Sequence, residues 1–127
     1  MDASAVVEWL LHSSAGFRIE KRVYAGRESL HAPHVLDLEV AQTFRRLARE
    51  QVISSERASE ALGDLLLLRI LRHPHSSLLP RIWHLRQNLT AYDAAYVALA
   101  ENLDAVLLTR DTRLAAASGH RARVEVF

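Results

Sequence analysis

Between His34 and Glu50 the apolar residues Leu36, Val40, Phe44, Leu47 and Ala48 recur every three or four positions, which predicts a helix with one buried stripe. Ala3–Leu11 and Phe17–Ala25 read as two earlier helices, with Gly26 placed to end the second. Ser54 or Ser55 caps another, in which Glu56 and Glu60 lie near the positive end and Ala58, Leu62, Leu65 and Leu66 face inward. A further helix opens at Ser76 or Ser77 and tolerates Pro80, because first-turn amides have no partner within a helix. Thr90 caps the segment Thr90–Asn102, where Ala94, Ala95, Ala98 and Ala100 leave a slim helix suited to close packing. A short helix over Thr112–Ala117 precedes Gly119.

Short apolar runs separate these helices. Leu30–Ala32 and Ile70–Arg72 read as brief strands, the latter stopped before Pro74, and Ala105–Thr109 has the composition of a buried parallel strand. Val124–Phe127 alternates as a last strand. Strands alternating with helices predict βαβ units and an α/β fold, its mainly parallel sheet covered on both faces. At 127 residues, with no repeat, low-complexity tract or Pro/Gly-rich linker, the chain reads as a single domain over residues 1–127.

Composition narrows the chemistry. The absence of cysteine excludes disulfides, thiolate metal sites and cysteine nucleophiles. Glu8 interrupts the apolar stretch Val6–Leu11 and no basic region precedes it, so a signal peptide or membrane span is not expected and a cytoplasmic location is. A net charge of +1 gives no global field that announces nucleic acid. Lys21 is the only lysine among many arginines, a bias that suits bidentate phosphate contacts and equally fits the composition of the source genome. His31, His34, His73, His75, His84 and His120 show no compact metal-ligand spacing.

Four acids stand apart. Asp2, Glu39, Asp93 and Asp111 are distant in sequence, yet each falls at the mouth of an expected strand or on a helix able to face one. Ligands of open α/β sheets bind beyond the carboxyl ends of the strands. Carboxylates gathered there repel one another unless a cation joins them, so the pattern asks for a metal. Each has a plainer reading beside it. Thr90-Ala91-Tyr92-Asp93 fits a capping box, Asp111 can cap the helix near Thr112, and Glu39 can be a solvated side chain.

Taken jointly, Asp2-Ala3-Ser4-Ala5-Val6-Val7-Glu8, Leu36-Asp37-Leu38-Glu39-Val40, Leu89-Thr90-Ala91-Tyr92-Asp93-Ala94 and Leu108-Thr109-Arg110-Asp111 resemble the successive motifs of PIN-domain ribonucleases. More narrowly they resemble the VapC toxins of toxin–antitoxin pairs, over almost the whole chain. The resemblance implies a three-layer α/β/α sandwich and magnesium- or manganese-dependent cleavage of RNA. It places Asp2, Glu39, Asp93 and Asp111 in the acidic pocket as catalytic residues and metal ligands, Asp2 and Asp93 foremost, with Ser4 and Thr109 supporting them. It also implies a VapB-type antitoxin that wraps the toxin, and a homodimer. The helices Phe17–Ala25 and Ser55–Leu68 offer apolar surface for the antitoxin, unless those residues complete the core. RNA phosphates call for cations, for which Arg46 and Arg110 are singled out among Arg45, Arg46, Arg49, Arg110 and Arg113. A salt bridge to Glu50 or Glu39 is the plainer role for Arg46.

One departure stands out. PIN domains set their first acid at the end of an apolar amino-terminal strand, and here Met1 alone precedes Asp2. A few apolar residues upstream are therefore expected, the alternative being loss of that strand. With Met1 first, the α-amino group lies beside Asp2 and competes with metal. A catalytically silent PIN-like module that binds antitoxin or RNA is the rival reading. Haloacid-dehalogenase and receiver folds fit less well, the first because position four is Ser4 rather than aspartate, the second because Lys21 is early and alone.

Overall fold

Side-chain caps decide where most of the helices start. In the computed structural model, which describes residues 1–127, Asp2 caps α1 (Ala3–Leu10), Ser13 caps α2 (Ser14–Gly26), Ser54 caps α4 (Ser55–Leu67), Thr90 caps α6 (Ala91–Asn102) and Asp111 caps α7 (Thr112–Ala116). In each case a side-chain oxygen accepts an otherwise unpartnered amide of the first turn. α3 (Val35–Arg49) has no side-chain cap and follows directly on β1 (Leu30–Pro33). A single 3-10 turn, Ser76–Leu78, leads into α5 (Leu79–His84), with Pro80 in its first turn as the sequence predicts. The remaining strands are β2 (Ile70–His73), β3 (Val106–Thr109) and β4 (Arg123–Val126).

Three sequence expectations need correction. α2 begins at Ser14 rather than Phe17, because Ser13 supplies the cap. Gly26 belongs to that helix, and the left-handed residue beyond it is Arg27, at φ 51°. On α4 the inward face is Ala58, Ala61 and Leu65, whereas Leu66 is 77% exposed. Every position from Leu65 to Leu68 is leucine, so hydrophobicity alone could not fix the phase of the buried stripe.

All strand pairings are parallel, but they form two separate pairs, β1 with β2 and β3 with β4, rather than one continuous sheet. α6 packs against both β1 and β3 and so spans the two halves. Its residues Ala94 to Ala100 are all buried, which requires the small side chains that the sequence provides. α1 packs on α2, α3, α4 and β3, and Gly16 of α2 lies so near α1 that an added Cβ would sit 2.1 Å from the Glu8 carbonyl oxygen. Phe44, Ile19, Leu36, Leu85, Leu107 and Leu114 are the largest fully buried apolar side chains.

Arg81 on α5 grips Glu101 on α6 through bonds of 2.8 and 2.9 Å, and Glu101 also accepts the Arg121 amide at 2.8 Å. These donors, Arg81 above all, hold the Glu101 carboxyl well below its ordinary 4.5, at about 2. A depressed carboxyl pKa contributes stability that is complete above the unfolded value and is lost as pH falls through the folded one. Unfolding followed by circular dichroism should therefore show stability declining between pH 4.5 and about 2, with a shallower decline in Glu101→Gln. Identical acid limbs in the two proteins would remove Glu101 as a source.

Candidate acidic site

The site is built around the end of β3. Thr109, fully buried, donates its hydroxyl hydrogen to Asp2 Oδ2 and accepts the Asp111 amide at 2.9 Å. Ser4, in the first turn of α1, donates to Asp2 Oδ1 at 2.7 Å and accepts the Arg110 amide at 2.9 Å. The Ala5 amide adds a second bond to Oδ1 at 3.0 Å, and the Asp2 amide itself donates to the Leu108 carbonyl at 3.0 Å. Both hydroxyl hydrogens are thus spent on Asp2, so the 3.4 Å approach of Ser4 to Thr109 is packing rather than a further bond. Asp2 is 6% exposed; Oδ1 has two donors and Oδ2 one, which leaves an acceptor direction free on Oδ2.

Glu39 reaches the same region from α3. The Tyr96 hydroxyl of α6 donates to its Oε2 at 2.5 Å. Burial raises the Glu39 carboxyl pKa, Asp93 and Asp2 raise it further, and the Tyr96 bond opposes them. Burial, followed by the bond to Glu39, in turn pushes the Tyr96 hydroxyl far above its ordinary range. Asp93 lies in the first turn of α6, where its amide donates to Thr90 Oγ1 at 3.2 Å. Its carboxyl is also raised, first by burial and then by Asp111 and Asp2, against a hydrogen bond from Thr90 and the charge of Arg113.

Asp111 differs from the other three. It caps α7 and accepts Arg113 through the amide at 2.8 Å and the guanidinium at 3.2 and 3.1 Å. The Arg113 side chain therefore holds its carboxyl below the usual range. Arg113 is 90% exposed, so a cation approaching Asp111 displaces a mobile, solvated arm at little cost.

The four acids thus face one another across one end of the fold: Asp93 feels Asp2 and Asp111, and Glu39 feels Asp93 and Asp2. As the side chains stand, no three acidic or histidine groups converge closely enough to hold an ion. The donor chemistry nevertheless suits a hard divalent cation. It is all oxygen, one direction on Asp2 is free, and two carboxyls carry raised pKa values that a cation would relieve.

Other expected residues fall elsewhere. Arg46, two helical turns from Glu39, pairs with Glu50 at 3.6 Å, and both side chains are more than half exposed. Arg110 lies 3.8 Å from Glu8 and also donates to the Phe127 carbonyl. Thr43 bonds the Glu39 backbone carbonyl, not its carboxylate. The Met1 amine donates to the His31 carbonyl at 3.1 Å; burial lowers its pKa to about 6 against the opposing pull of Asp2. Sequence reading passed over Tyr96, although its place three residues after Asp93 puts it on the same side of α6. It also passed over the His31–His73 pair, bonded at 2.8 Å across β1 and β2, which strand register alone creates.

The family profile described as PIN domain matches residues 1–119. Ribonuclease VapC1 of Mycobacterium tuberculosis is 46% identical over 121 residues, covering 94% of this chain and 90% of its own. Ribonuclease VapC12 of the same organism is 38% identical over 126 residues, covering 99% and 96%. Among solved structures, the crystal structure of PAE2754 from Pyrobaculum aerophilum superposes with a TM-score of 0.71 at 27% identity, covering 98% of this chain and 81% of that one.

Tyr96→Phe removes the hydrogen bond that favours ionised Glu39 while leaving burial and neighbouring charge in place. A carbon-detected NMR titration should find the Glu39 carboxyl pKa higher in the variant than in the parent. An unchanged value would mean that Tyr96 does not control that proton.

Proposed function

The chain belongs to the PIN-domain family, and from that premise we propose that it is a metal-dependent endoribonuclease, the toxin of a VapBC-type pair, restrained by a cognate VapB-type antitoxin. The observation that carries the reading at the site is Asp2, pinned by Ser4 and Thr109 at the mouth of β3 opposite Asp93 and Glu39. In the reading we favour, Asp2 and Asp93 are the principal ligands of magnesium or manganese, with Glu39 and Asp111 completing the acidic pocket. Ser4 and Thr109 keep the Asp2 carboxylate from turning away.

A divalent cation held there supplies Lewis acidity toward a phosphoryl oxygen and lowers the pKa of an attacking water. The residues do the rest. Glu39, held by Tyr96 and raised in pKa, is the carboxylate suited to take the water's proton as oxygen attacks phosphorus and the phosphodiester P–O bond breaks. Arg110 and Arg46 are proposed to hold flanking phosphates, since the ion pairs they make at present, with a partly exposed Glu8 and an exposed Glu50, are exchangeable.

Antitoxin docking has apolar surface available. Phe17 and Tyr24 of α2 and Leu66 and Leu67 of α4 are all more than half exposed, so these side chains do not complete the core. Both helices pack on α1. A homodimer is the assembly we propose, and Leu79 and Trp83 of α5 are exposed apolar residues that a second copy would cover. No helix is long and apolar enough to cross a membrane.

Purified protein freed of antitoxin should cut total RNA into discrete fragments with magnesium or manganese. Cleavage should vanish in EDTA and fall by more than ~100-fold in Asp93→Asn. Cleavage insensitive to both would sink the metal site, and none at all from folded protein would favour the silent module. Protons compete with metal for the raised Glu39 and Asp93 carboxyls. Activity should therefore be lost as pH falls and be partly restored there by more metal. For Arg110→Gln, filter binding to single-stranded RNA should lose roughly 0.7 from the slope of log affinity against log salt; an unchanged slope would free Arg110 of a phosphate contact.

A further inference from the structure

Four of the seven histidines, His31, His34, His73 and His75, lie on β1 and β2 or within two residues of their carboxyl ends. Their spacing along the chain is uninformative, but the parallel register sets Pro33 beside His73 and His31 beside Leu71. Side chains alternate along a strand, so His31 and His73 share one face of the pair. There His31 Nδ1 and His73 Nε2 are 2.8 Å apart, with the rings tilted by 34° and their centroids 5.1 Å apart. The other nitrogen of His31, Nε2, is 2.7 Å from Ser29 Oγ, and the His34 amide donates to the His73 carbonyl at 2.9 Å, which ties the two strand ends together.

Two neutral imidazoles that aim nitrogens at each other share one proton, since one must donate and the other accept. Ser29 can take either role toward His31, because a hydroxyl both donates and accepts. With the His31 proton on Nε2 and donated to Ser29, Nδ1 carries a lone pair directed at His73. That is the arrangement of a ligand imidazole, whose far N–H is held by an oxygen while the near nitrogen faces the ion. Burial, foremost, lowers the His31 pKa and His73 lowers it further, so the ring is neutral at neutral pH. Two nitrogens on a tetrahedral zinc ion stand roughly 3.3 Å apart, so parting the rings by about half an ångström admits one. Both residues are partly exposed, which leaves an entry path and room for water. Imidazole suits zinc, nickel and copper, whereas magnesium and manganese prefer carboxylate and water oxygens. The all-oxygen pocket and this pair of nitrogens therefore select different ions.

We propose that His31 and His73 form a second metal site, sharing no residue with the acidic pocket, which takes zinc or a similar divalent transition-metal ion between the two rings while Ser29 holds the His31 tautomer. His34 and His75, both exposed, are the rings nearest along the chain to complete the coordination, with water in the remaining positions. The inference is independent of the nuclease reading, and its test involves no RNA.

Zinc chloride titrated calorimetrically into the full chain, carrying no added histidine tag and with magnesium in excess, should bind one ion per chain. His31→Ala and His73→Ala should each weaken binding by at least ~10-fold, no less than the loss of a supporting hydrogen bond costs a metal site. Asp93→Asn should leave the zinc affinity unchanged. Long-range proton–nitrogen spectra of the zinc-loaded parent should show His31 protonated at Nε2 and His73 at Nδ1, a readout that requires no variant to fold. Equal zinc affinity in the parent and both histidine variants would overturn the proposal, as would spectral change confined to the Glu39 and Asp93 carboxyls. Binding that appears only as the protein self-associates would overturn it as well, because exposed histidines of two copies would then hold the ion.

Discussion

The carboxylate of Asp2 is the junction on which the site and the amino-terminal half of the fold both depend. One oxygen takes the Ala5 amide and the Ser4 hydroxyl, which starts α1; the other takes the Thr109 hydroxyl, which fastens that start to the end of β3. Charge-assisted bonds to a buried carboxylate are among the stronger polar contacts a fold has, and leaving one unpaired is costly. The same bonds aim the residue. Ser4 and Thr109 go on to accept the amides of Arg110 and Asp111, so the turn after β3 is positioned by the groups that hold Asp2.

Across from this junction, electrostatic tension is built in. Glu39 and Asp93 are brought by α3 and α6 into a region where burial and neighbouring carboxylates disfavour their charge. Tyr96 offsets part of that for Glu39, and Thr90 with Arg113 offsets part for Asp93. Asp111 escapes it by closing on Arg113. Such an arrangement is uneconomical for stability alone and natural for a site completed by a cation, whose charge reverses the sign of each of these interactions.

α6 is the structural counterpart of that electrostatics. Its alanine-rich surface lets β1 and β3 approach the same helix, its first turn presents Asp93, and its next residues carry Tyr96 inward to Glu39. The helix therefore sets the distance between the two strand pairs and, with it, the width of the cavity between them. Packing and site geometry are coupled through one element, so a bulky substitution at Ala95 or Ala98 disturbs both.

Local chemistry in the sequence was sufficient for most of the elements. Caps at Ser54 and Thr90, the stripe on α3, Pro80 in a first turn and the apolar run of β3 are each decided within a few residues. The motif around Asp2, Glu39, Asp93 and Asp111 was legible for the same reason, since each acid carries its strand mouth or helix start with it. What depends on distant contacts was not. The inward face of α4 was ambiguous within a run of leucines, although the Arg46–Glu50 pair on α3 was already offered by its i,i+4 spacing. The Tyr96–Glu39 bond, the His31–His73 contact and the division of the strands into two pairs all arise only when separate segments meet. Sequence determines what each segment is able to present; only the packing of one segment on another determines which partner it meets, because hydrogen bonds and charge act over a few ångströms of space and not along the chain.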